Sequence, residues 1–63
     1  MYKYRDLVKV KTGFYQNLRG FLESYDTSTA NYTLTICKVL GIQFLEKTIE
    51  EYEGNLELVE EAK

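Results

Sequence analysis

The sequence predicts an all-β chain, five short strands in one small domain, and three observations carry that prediction. Apolar and polar residues alternate with period two over 4–10 and again over 32–37. Glycine and polar turn residues punctuate the chain at Thr12-Gly13, Gly20 and 26–31. The one stretch with helical spacing is broken by Gly54-Asn55 where a helix would be in mid-span.

The first strand runs from Tyr4 to Val10. Its even positions Tyr4, Val8 and Val10 are apolar apart from Asp6, and its odd positions Lys3, Arg5, Lys9 and Lys11 are basic apart from Leu7, so one face is buried and the other wet. Thr12 and Gly13 end it, and 13–20 reads as a loop anchored by Phe14, Tyr15 and Leu18. Gly20 opens a second strand, Phe21 to Tyr25. After the polar turn 26–31, Tyr32, Leu34 and Ile36 share one face of a third strand ending at Cys37, which completes a hairpin.

Two readings compete for the C-terminal part. Ile42, Leu45, Ile49, Tyr52, Leu56 and Val59 fall at spacings of three and four, the seam of an amphipathic helix, so the alternative architecture is β-hairpins plus a C-terminal helix over 42–61. The preferred reading has a strand over Ile42 to Ile49, a short 3-10 turn near Tyr52 to Asn55, and a closing strand Leu56 to Val59. A single hairpin plus helix would leave the first strand without an evident pairing partner.

With 63 residues there is room for one core, residues 1–63 forming a single domain. A domain of this size buries only about 60% of the surface its unfolded chain exposes, so most large apolar residues are needed for packing. A lone Cys37 precludes an internal disulfide, and the absence of histidine removes the commonest zinc ligand. No apolar run reaches the length of a membrane span or a signal peptide, and with a single thiol the expected location is the cytoplasm. The net charge of −2 conceals an asymmetry. Residues 1–20 carry five cations and one acid, or +4, whereas residues 21–63 carry nine acids and three lysines, or −6.

The segment Asp6 to Leu22, DLVKVKTGFYQNLRGFL, resembles the KOW motif. An acidic residue precedes two alternating valines, and Gly13 and Gly20 stand seven residues apart ahead of the apolar Leu22, as in that family. Asn17 departs from the pattern, occupying a usual glycine position, although asparagine also tolerates a left-handed backbone. The ending Glu53 to Val59 looks like the last strand of many SH3-like barrels. The resemblance implies a small SH3-like five-stranded barrel with a short 3-10 turn before the last strand, of the kind that contacts RNA, DNA or the transcription and translation machinery.

Nothing in the chain has the pattern of a nucleophile paired with a base, a phosphate loop or a cofactor fingerprint. The expectation is therefore a binding module, not an enzyme, with no cofactor and no metal. Two surfaces stand out. Phe14, Tyr15, Asn17, Arg19 and Tyr25 are the candidates for contact with a protein partner, because the six tyrosines and three phenylalanines exceed what one small core needs. Lys3, Arg5, Lys9, Lys11 and Arg19, with Phe14 or Tyr15 for stacking, are the candidates for nucleic acid. Against the second surface, pairing of the first and last strands would set Lys9 and Lys11 beside Glu57, Glu60 or Glu61, and the isoelectric point near 5.0 is acidic. A third option is self-association through open strand edges or exposed aromatic residues. Cys37 has no histidine to activate it and alternates outward from Ile36, and the acids from Glu46 to Glu61 read as a solvated face.

Overall fold

The computed structural model describes the backbone of residues 2–40 and 43–63, and their side chains except those of 37–40 and 43–45. Ile42, the first residue of the helical seam, lies outside the described residues, as do the side chains of Cys37, Phe44 and Leu45. The fold is all-β. Strands β1 (Leu7–Val10), β2 (Arg19–Asp26), β3 (Asn31–Leu40), β4 (Gln43–Tyr52) and β5 (Leu56–Glu60) form one antiparallel sheet in the order β4-β3-β2-β1-β5. A single 3-10 turn, Glu53–Asn55, leads into β5. The helical alternative over 42–61 does not occur, because β4 pairs residue for residue with β3 from Asn31↔Tyr52 to Leu40↔Gln43. Ten inter-strand pairs hold that segment extended. Local helical spacing is a weak force beside a partner strand of equal length.

Register explains the core. Val8 faces Gly20, Gly20 faces Ile36, Leu22 faces Leu34, Leu34 faces Ile49, and Val10 faces Leu56. Gly20 apart, these residues and Tyr32 make one buried cluster, with Tyr2, Tyr15 and Leu18 packed against it. A flat single sheet would leave that face wet, so the sheet curls over it. Tyr2 ties the curl together: its hydroxyl donates to the Leu56 carbonyl (2.9 Å), and its amide donates to the Tyr32 hydroxyl (3.1 Å). Irregularities at Leu7/Val8 and Leu22/Ser24 supply the bends. The sheet stays open, with β4 and β5 as its two edges.

Two glycines are required by this geometry. A Cβ on Gly20 would lie 2.6 Å from the Thr35 carbonyl oxygen, so only a residue without a side chain lets β2 and β3 approach there. Gly13 has φ +97°, and Asn17 has φ 71°, the left-handed conformation that asparagine tolerates.

The first strand is shorter than its alternation predicts. Lys3 and Arg5 precede β1, Tyr4 is 64% exposed, and Arg5 has φ 72°. The cause is Asp6, whose carboxylate accepts the Lys3 amide (2.8 Å) while its own amide donates to the Lys3 carbonyl, folding 3–6 into a turn. Asp6 also accepts the Ala62 amide (2.7 Å), pinning the segment after β5 to the start of β1. These two backbone donors hold its carboxyl below the usual range.

Candidate functional site

The 13–20 loop is built as a rigid pedestal. The Gln16 amide donates to Gly13 O and the Leu18 amide to Tyr15 O, making two successive turns. Asn17 N donates to Val10 O (2.8 Å) and Val10 N to Leu18 O (2.9 Å), which lock the loop onto the end of β1. At its start, Thr12 is clasped by buried Asn55. The Thr12 amide and hydroxyl both donate to Asn55 Oδ1 (3.1 and 2.7 Å), while Asn55 Nδ2 donates to Thr12 O and to Glu51 Oε2.

On this pedestal Leu18 and Tyr15 pack inward and Phe14 is left 92% exposed. The Phe14 and Tyr15 rings meet edge to face at 5.0 Å, and Lys47 Nζ lies 5.4 Å from the Tyr15 ring centroid. Lys47 belongs to β4, opposite Ile36, so the loop meets the β3–β4 hairpin near its middle. Beyond Ile36, residues Cys37–Leu40 and Gln43–Glu46 pair with each other and not with β2 among the described residues, forming an arm roughly 13 Å long at about 3.3 Å per residue. The sequence did not single out Lys47. Its contact with Tyr15 depends on the β3–β4 register, which no local pattern near residue 15 encodes.

The other candidates are dispersed. Asn17 holds the loop through its backbone. Arg19 is exposed beside Lys9 at the start of β2. Tyr25 is not with the loop at all: it faces Tyr32 across the β2–β3 hairpin, ring centroids 4.7 Å apart. Among the basic residues, Lys9 pairs with Glu57 (3.3 Å), its cross-strand neighbour, a solvent-exposed interaction of about 0–1 kcal/mol. Lys11 and exposed Lys3 lie outside β1, at opposite ends of it. The Arg5 guanidinium sits 5.2 Å over the Phe21 ring. The first-strand cations therefore form no continuous stripe.

No family model matches this chain, and no curated protein or solved structure matches it. Its own surface must speak for it. Among the described residues, two grooves lie away from the loop. An open one of about 370 Å³ lies between Arg5, Phe21 and the C-terminal residues Glu60 to Lys63, where two acids balance two bases. A smaller one of about 150 Å³ lies between the N-terminal segment and β2 and is walled by Tyr2, Tyr4, Tyr25 and Tyr32. Among the described residues, no helix is long and apolar enough to cross a membrane, and no cluster of acidic, cysteine or histidine side chains is placed to hold a metal ion.

Proposed function

We propose that this chain is a non-catalytic, cytoplasmic protein-binding module of SH3-like, KOW-type architecture, with Phe14 as the anchor of its 13–20 loop. The strand order β4-β3-β2-β1-β5, with a 3-10 turn ahead of the last strand, supports the architecture. The observation that carries the function is the exposure of Phe14 on a loop that is hydrogen-bonded at both ends and along its length. A large apolar ring held in place before binding loses little entropy when a partner covers it. Anchors of this kind typically contribute about 2 kcal/mol or more to an interface.

One observation favours a second reading. Lys47 over Tyr15, next to Phe14, pairs a cation with stacking rings as single-stranded nucleic-acid sites do. The pairing of Lys9 with Glu57 weighs against it, because it offsets one of the cations a phosphate backbone would need, and the other first-strand cations are scattered. A photo-reactive benzoylphenylalanine placed at position 14 in the native cell separates the readings. The expected result is a discrete, nuclease-resistant polypeptide adduct that the same probe at exposed Glu50 does not form. Nuclease-sensitive adducts, or equal adducts at both positions, would overturn the protein-binding reading.

A further inference from the structure

An edge strand is paired on one side only, and the two edges of this sheet are guarded unequally. β5 is five residues long, its register against β1 shifts between Leu7 and Val8, and Tyr2 caps its Leu56 carbonyl. β4 is longer and more regular. It runs ten residues in unbroken register with β3, and among the described residues none of its backbone hydrogen bonds leads anywhere but to β3. Its outward amides and carbonyls over 46–52 therefore form a regular template for one more strand.

The charges along β4 select the strand that fits. Residues opposite each other in an antiparallel pair share a face of the sheet. A second copy related by a two-fold axis through one β4 residue thus sets each position before that residue opposite the position equally far after it. An axis through Glu46, Lys47, Glu50 or Glu51 sets that charge against its own copy, and an axis through Thr48 sets Glu46 against Glu50. Like charges directly opposite are destabilising. Of the axes from 46 to 51, the one through Ile49 alone brings opposite charges together. There Lys47 meets Glu51 of the second copy, twice by symmetry, while Thr48 meets Glu50 and Glu46 meets Tyr52. Glu50 meets Glu46 and Glu50 of the second copy only on the diagonal, about 7–8 Å away, where solvent screens them. Both members of the attractive pair have capacity left. Lys47 is exposed and lies over the Tyr15 ring, a contact that uses no acceptor, and Glu51 gives only Oε2 to Asn55.

We propose that β4 pairs antiparallel with β4 of a second copy of this chain about an axis through Ile49, joining two five-stranded sheets into one of ten. Lys47 of each copy faces Glu51 of the other. Residues 46–52 bury less than the roughly 1,200 Å² of stable complexes, so the dimer is weak and depends on concentration. It is independent of the loop reading, which needs Phe14 and not this edge.

Sedimentation equilibrium of the intact chain from about 10 µM to about 1 mM tests the proposal. The mass should rise from 7.4 kDa toward twice that value. Amide exchange over 46–52 should slow with concentration while exchange over β5 does not. Lys47→Glu and Glu51→Lys each set like charges opposite and should raise the dissociation constant about ten- to a hundredfold. Mixed one to one, these two variants attract at both positions and should recover a dimer as tight as the parent's. Glu51→Gln, which keeps an acceptor for Asn55 and hence the fold, should weaken the dimer about two- to tenfold. Phe14→Ala, which tests the loop reading, leaves the association unchanged. A chain that stays monomeric at about 1 mM, a dimer indifferent to Lys47→Glu, or folded variants whose mixture fails to pair would overturn the proposal. Exchange slowed at β5 or at the 13–20 loop and not at 46–52 would overturn it as well.

Discussion

Replacing Asn55 with alanine tests whether the loop is positioned by the fold or by itself. The side chain makes four hydrogen bonds, three to Thr12 and one to Glu51, from a buried position. Each contributes roughly 0.5–1.5 kcal/mol net. Thr12 is exposed, so water replaces part of what is lost, and the expected cost is about 2–4 kcal/mol. A domain of this length has roughly 3–9 kcal/mol in total, so the clasp accounts for a large share. The midpoint of thermal unfolding, followed by circular dichroism, should fall by roughly 15–30 °C. Asn55→Asp is the control. It keeps the acceptor for Thr12 but removes the donor to Thr12 O and sets a carboxylate against Glu51 Oε2, so it should not restore the stability lost in the alanine variant at pH 7. Because Thr12 begins the loop, cross-linking from position 14 should weaken in the alanine variant at temperatures where it is still folded. A midpoint within about 3 °C of the parent would refute the reasoning, since it would mean the four bonds are replaced by solvent at no cost.

Two further outcomes follow from the packing. Leu34→Ala removes the fully buried side chain that stands between Leu22 and Ile49 across three strands, and should cost about 2–5 kcal/mol in urea unfolding; a loss under about 1 kcal/mol would mean the core collapses into the gap. Asp6 has a folded pKa below its ordinary 3.8, so its contribution is complete above that value and is lost as pH falls through the folded pKa. Asp6→Asn should therefore be less stable than the parent at pH 7 and should lose less on going to strong acid; parallel pH profiles for the two chains would refute the clasp.

Much of the fold was legible because alternation and turn chemistry are local. Val8, Val10, Tyr32, Leu34 and Ile36 all lie inside, as their period predicts, and the turn 26–31 and the break at Gly54-Asn55 mark real element ends. The first strand was over-extended because Tyr4 continues its pattern, while the Asp6 carboxylate captures the Lys3 amide and turns the chain. β3 and β4 each reach ten residues, beyond the expected ends at Cys37 and Ile49, because each supplies the other's hydrogen bonds once paired.

The surface divides in the same way. That 13–20 would be a loop carrying Phe14 and Tyr15 follows from its two glycines and its composition alone. Which ring stays outside, that Lys47 covers Tyr15, that Tyr25 joins Tyr2 and Tyr32, and that Lys9 meets Glu57 were decided by the tertiary structure. The physical reason is range. Backbone preference and side-chain period act over a few residues, whereas a groove or an ion pair needs residues 30 or more positions apart to be brought within a few ångströms, and only the strand register and the curl of the sheet do that.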